Sequence, residues 1–182
     1  MVDSDALQQR MKEIEANPEL RLLRSENNDV PLTKDGQHIQ QYAVYTDFQF
    51  DKKMQKTNSI FVYTPWRNLD SQGRTRTDFQ NQLLFEYNGW EKKIHITVLE
   101  TLGSASQLAF FDYQNHGLAQ LSLQSLIRLA QRTDVVTIDA ALSSFDGEDD
   151  FDRIKNLFTK AGFTVLSENT ALGVAKFLYQ IG

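Results

Sequence analysis

Leu108-Ala109-Phe110-Phe111-Asp112-Tyr113-Gln114-Asn115-His116-Gly117-Leu118-Ala119 is the stretch on which the fold turns. A short apolar run, Leu108 to Phe111, reads as a strand. A polar loop with one glycine follows, and then a helix predicted over residues 119–132. Leu123, Leu126, Ile127 and Ala130 recur there at spacings of three and four, one apolar face of a helix. A strand that passes through such a loop into a helix leaves several backbone N–H groups without partners at the helix start. The helix dipole favours negative charge there. Gly117 would let an anion approach without a Cβ in the way, and Ala119 is small enough for the same purpose. A glycine at this point also serves simply to bend a strand-to-helix turn, and both readings stand.

Downstream the order continues. Residues 135–142 are nearly continuously apolar, as expected of a strand buried on both faces. Asp146-Gly147 turns the chain. A second helix is predicted over 150–161, with Phe151, Ile154, Phe158 and Ala161 on one face. Its start is acidic (Glu148, Asp149, Asp150, Asp152), which suits the positive end of the dipole. Gly162 is a natural C-terminal cap. Residues 163–166 and 173–179 read as a closing pair of strands. Upstream, strands are predicted over 42–50, 60–63, 82–87 and 93–99, with Asn88-Gly89 as a hairpin turn. Residues 67–78 are polar and read as an exposed loop, and Asp35-Gly36 as a turn. A short helix carrying Leu7, Met11 and Ile14 ends before Asn17-Pro18, because proline cannot continue the ladder. Its apolar content is low, so it reads as a weakly packed helix or an arm within residues 1–30. Strands and helices in this order imply an α/β or α+β domain with a mixed sheet, a single domain over 1–182.

Composition narrows the chemistry. The 182 residues suffice for one well-buried domain. Cysteine is absent, which removes disulfides, thiol nucleophiles and cysteine-ligated metal sites; no metal is implied. The formal net charge of -5 gives no general attraction to nucleic acid. No apolar run has the length of a membrane span, and Met1-Val2-Asp3-Ser4-Asp5 lacks the basic start of a secretory signal. The cytoplasm is the default compartment. A Val/Phe-rich strand near the C-terminus leaves room for pairing into a homodimer.

The loop resembles the phosphate loop of the GNAT superfamily of N-acetyltransferases, which reads Gln or Arg, two variable residues, Gly, one variable residue, then Gly or Ala. Gln114, Gly117 and Ala119 match in register, and Tyr113 fits a common family preference. Downstream, Asn156-Leu157-Phe158-Thr159-Lys160-Ala161-Gly162-Phe163 resembles the family's last helix with its Gly-Phe ending. The resemblance covers about residues 82–182, which it implies to be the acetyl-CoA-binding core. It implies a GNAT-like mixed sheet flanked by helices, with an atypical N-terminal region. It also implies acetyl-CoA as acyl donor and an amine as acceptor. Loop residues Gln114, Asn115, His116, Gly117, Leu118, Ala119 and Gln120 would hold the pyrophosphate. The backbone of Ala109 and Phe111 would pair with the pantetheine arm as a pseudo-strand, where the family's strands splay. His116 would add a donor to a phosphate or face water.

Two positions depart from the family. Many members protonate the leaving thiolate with a tyrosine five residues before the Phe of Gly-Phe; here that position is Phe158. Phe151 stands where an asparagine is frequent. Both suit the buried face of the helix. A non-catalytic coenzyme-A-binding or interaction module therefore stands beside the N-acetyltransferase reading. Candidate general bases are Glu86, Glu100 and His95, with Asp112 a further acidic residue beside them; each is also what a solvated strand face would carry. His95 alternates away from Ile94 and Ile96. The dense aromatics Tyr42, Tyr45, Phe48, Phe50, Phe61, Tyr63 and Trp66 read as sheet core, or as an altered acceptor pocket or interface.

Overall fold

The computed structural model describes residues 4–49, 57–66, 78–102, 113–114, 116–143 and 148–181. The expected strand at 108–111, most of the expected loop at 67–78, Asp112 and the Asp146-Gly147 turn lie outside them. The elements are α1 (Ser4–Ala16), β1 (Arg21–Asn27), β2 (Gln41–Thr46), β3 (Thr57–Tyr63), β4 (Asn81–Asn88), β5 (Lys93–Thr101), α2 (Leu118–Gln131), β6 (Thr137–Ser143), α3 (Glu148–Lys160), β7 (Thr164–Asn169) and β8 (Val174–Gln180). The strands hydrogen-bond in the order β1-β2-β3-β4-β5-β6-β8-β7. The pairs β1/β2, β2/β3, β6/β8 and β7/β8 are antiparallel and β5/β6 is parallel. The architecture is the expected mixed α/β sheet with helices. The chain divides into two units: residues 1–49, 59–83 and 99–125, and residues 50–58, 84–98 and 126–182.

In the first unit β2 is buried at every position, so it is a central strand covered on both faces. Tyr42, Tyr45, Phe48, Tyr63 and Trp66 are all buried, which settles these aromatics as core; Phe50 lies outside the described residues. The expected weak packing of the first helix is not found. Leu7 and Ile14 are wholly buried in a cluster with Ala43, Tyr45 and Tyr63. The Arg10 guanidinium lies over the Tyr45 ring at 5.0 Å and donates to its hydroxyl at 2.8 Å. A short apolar stripe sufficed because the polar residue beside it also covers the core. Strand β1 was not legible in the sequence. It sits at the edge of the sheet, carries Arg21, Arg24 and Glu26, and slips register between Leu22 and Arg24.

In the second unit, Asn88-Gly89 does open a hairpin, but through four residues rather than two. The Asn88 side-chain oxygen accepts from the amides of Trp90 and Glu91, both at 3.1 Å, and Lys92 takes the positive φ of 53°. Strand β6 differs from expectation too. Ile138 and Ala140 are buried, whereas Thr137 and Asp139 are only half-buried and Ala141 is exposed. Its second face is open, and a carboxylate stands on it. The closing strands β7 and β8 pair as expected. Helix α3 ends as its sequence predicts. Gly162 has φ 107°, its amide donates to Thr159, and the Phe163 amide donates to the Phe158 carbonyl at 3.0 Å. That is the paired bonding of a glycine-capped helix end. The Phe158 ring meets Phe163 edge-on at 5.0 Å and stacks on Phe177 at 4.7 Å.

Candidate functional site

The first candidate is the start of α2, in the first unit. The Gly117 carbonyl accepts the first helical bond, from the Leu121 amide at 3.1 Å. The amides of Leu118, Ala119 and Gln120 therefore fall in the first turn, where no intrahelical acceptor exists. That turn carries no acidic side chain, so its positive end is not neutralised locally. Leu118 points into the core, Ala119 and Gln120 are half-buried, and Gln114 is exposed at a turn. Asn115, Ala109 and Phe111 lie outside the described residues.

The structure revises two of the expected roles here. Gly117 has φ 87°, a conformation that L side chains rarely adopt. A Cβ built on it would lie 2.9 Å from Cγ of His38 and 3.0 Å from its Nδ1. The side of Gly117 on which a Cβ would stand is filled by the His38 ring, so the turn-forming reading of this glycine has contacts behind it. His116 is neither a free donor nor in water. It is buried, and its Nδ1 donates to the Gln37 carbonyl at 2.8 Å, while its own carbonyl accepts from the Ile39 amide at 3.0 Å. The segment around His38 is thus laced to the loop from both ends. Sequence reading missed His38, because nothing local links residues so far apart. Tyr113 is buried too: its hydroxyl donates to the Trp66 carbonyl at 2.9 Å and its amide to that of Leu102 at 3.0 Å.

The second candidate lies in the second unit, on the open face of β5 and β6. The parallel register sets His95 directly opposite Asp139. Opposed residues share a face, and Nδ1 of His95 is hydrogen-bonded to the Asp139 carboxylate. The other Asp139 oxygen lies 3.4 Å from the Lys93 ammonium, which also sits 3.5 Å from Glu91. The charge of Asp139 raises the Lys93 pKa above its ordinary value. The His95 and Asp139 side chains are 36% and 26% exposed, so a solute can reach them. Glu86 alternates with the buried Phe85 and Tyr87, which puts it on the same open face of β4. Glu100 is exposed near the end of β5, in the first unit. Of the three expected bases, Glu86 and His95 share a face, and among the described residues only His95 has a charged partner. Asp139 was the missed residue; a lone carboxylate in the apolar run 135–142 was its signal.

The backbone adds a further feature. The β5/β6 ladder runs for four pairs, Lys93↔Thr137 to Ile96↔Ala140, and stops. Both strands continue, β5 to Thr101 and β6 to Ser143. Beyond Ile96 and Ala140 no further β5/β6 pair forms among the described residues, while β6 goes on pairing with β8 as far as Ser143↔Val174. Phe158, where the resemblance leads us to expect a tyrosine, is fully buried and carries no hydroxyl. No group of three or more His, Asp or Glu is placed to hold a metal ion among the described residues, and no helix there is long and apolar enough to cross a membrane.

No family model matches the sequence, and no curated protein does. Solved structures do. An acetyltransferase from Bacillus subtilis in complex with CoA aligns at TM-score 0.47 and 10% identity, over 69% of this chain and 78% of that one. The GNAT domain of PAT from S. lividans aligns at 0.45 and 11%, over 69% and 61%. A proposed acetyltransferase of the GNAT family from Desulfovibrio desulfuricans aligns at 0.45 and 15%, over 69% and 67%. The likeness is not confined to residues 82–182. At these scores and identities it adds nothing to the fold described above.

Proposed function

We propose that this protein binds a coenzyme A thioester, acetyl-CoA in the first place, and transfers its acyl group to an amine. The observation that carries this is the parallel β5/β6 ladder that stops at Ile96↔Ala140 while both strands run on. Unpaired strand edges accept an extended, amide-bearing ligand as they would a strand. The pantetheine arm is such a ligand. The α2 start, with the amides of Leu118 to Gln120 and no acidic residue, supports the phosphate-binding part separately. The reading includes cytoplasmic location, a requirement for no metal, and no role for nucleic acid or membrane.

The buried Phe158 favours a second reading, a coenzyme-A-binding module that does not turn over, because no hydroxyl is offered at that position. The two readings share a first test. Acetyl-CoA at a hundredfold its Kd stabilises a folded protein by about 2.7 kcal/mol. For a chain of this size that is roughly 5–10 °C in Tm. We expect such a rise in a thermal-shift titration. No rise at millimolar acetyl-CoA would sink both readings. A rise without thiol release across a panel of amines selects the second.

A further inference from the structure

We propose that His95 is the proton acceptor for the attacking amine, positioned by Asp139, and that the acceptor amine is presented on the open face of β5 and β6. This rests on the acyl-transfer reading above and names the residue that reading leaves open.

Four observations lead to it. The Asp139 carboxylate can only accept, so Nδ1 of His95 carries the hydrogen. In the neutral ring Nε2 is then the basic nitrogen, and among the described residues it makes no hydrogen bond. Second, Asp139 itself is held from its other oxygen by Lys93, which fixes the carboxylate that fixes the ring. Third, His95↔Asp139 is the last pair but one before the ladder ends, so the dyad stands beside the backbone groups assigned to the thioester arm. Fourth, the other two histidines are differently placed: His116 is buried with Nδ1 committed to Gln37, and the His38 ring packs on Gly117. A purely structural role would be a weak reason for the pair, since part-exposed ion pairs contribute about 0–1 kcal/mol.

The step balances. The amine nitrogen bonds to the thioester carbonyl carbon, the C–S bond breaks, and sulfur leaves as thiolate. The amine proton passes to Nε2 of His95 and from there to the thiolate. The products are an amide and a free thiol. Among the described residues the charged groups on this face are Glu86 from β4, Lys93 from β5, Asp139 from β6 and Lys176 from β8, opposite the exposed Ala141, with Glu91 of the β4–β5 turn 3.5 Å from the Lys93 ammonium. The lysines favour an unprotonated incoming amine, and the carboxylates attract a cationic acceptor.

The test uses the full chain with acetyl-CoA and two probe amines, n-butylamine and glycinamide. The protein has no cysteine, so a thiol-reactive dye sees only released coenzyme A. We expect His95→Gln to lower kcat on the order of 100-fold or more, the range for loss of a general base. The acetyl-CoA thermal shift should stay intact, and the acid limb of the wild-type pH profile should vanish. In ligand-free protein, 15N spectra should show the Nδ1–H form of the neutral His95 ring, and Asp139→Asn should erase that preference. Retained kcat in the His95→Gln variant overturns the proposal, as does an Nε2–H ring in the wild type. Absence of thiol release with both amines also overturns it; a persisting acetyl-CoA shift then leaves coenzyme A binding standing.

Discussion

Phe158→Ala should destabilise the protein by about 3–5 kcal/mol, the range for removing a buried phenylalanine. The side chain is fully buried, stacked on Phe177 at 4.7 Å with rings 14° from parallel, and met edge-on by Phe163 at 5.0 Å. Offset stacks and edge contacts add to the burial itself. Phe158 is also the residue whose carbonyl accepts the Phe163 amide at the end of α3, so packing and helix cap share one point. Urea unfolding of the variant measures the loss. Phe158→Tyr is the more informative partner. Restoring a hydroxyl at the position where the resemblance expects a catalytic tyrosine places it in the core. A buried hydroxyl without a partner costs about 1–3 kcal/mol. The expected result is lower stability and no gain in thiol release. A tyrosine variant as stable as wild type and faster in acyl transfer would show that this ring lines a site instead.

That pair of variants bears on what the sequence could tell. Periodicity and apolar runs placed α2, α3 and the strands from β2 to β8 within a few residues. They failed where burial was not the organising force. Strand β1 is an edge, with Arg21, Arg24 and Glu26 facing partners or water, and its half-buried pattern has no period. In β6 the run from Val135 to Leu142 looked two-sided, yet Val136 is about half exposed. Small apolar residues on an open face are ordinary, so composition alone cannot tell a covered strand from an uncovered one. Site geometry was less legible than the fold. His95 was visible as a polar residue alternating with isoleucines. Its pairing with Asp139 depends on the register of two parallel strands with a helix between them. No local pattern encodes that register.

The same limit applies to Gly117, the residue on which the sequence reading leaned most. Gly117→Ala should cost about 1–2 kcal/mol from the backbone alone, the penalty for an L residue held in the left-handed region; its φ is 87°. A second term comes from His38. The new Cβ would sit 2.9 Å from Cγ of that ring and 3.2 Å from Cδ2. These are atoms close to the ring's attachment, so the side chain cannot simply swing its far end away. Overpacking of this kind costs about 1–3 kcal/mol. The two terms separate in a double-mutant cycle. His38→Ala in the Gly117→Ala background should recover the steric term and leave the backbone term. The acetyl-CoA titration then decides what the glycine is for. The amides of Leu118, Ala119 and Gln120 survive in the double variant, so the thermal shift should persist there if the helix start binds phosphate. A Gly117→Ala protein of undiminished stability that no longer responds to acetyl-CoA would reverse this assignment. The glycine would then serve ligand approach, as the loop pattern suggested, and His38 would have to move aside when the ligand binds.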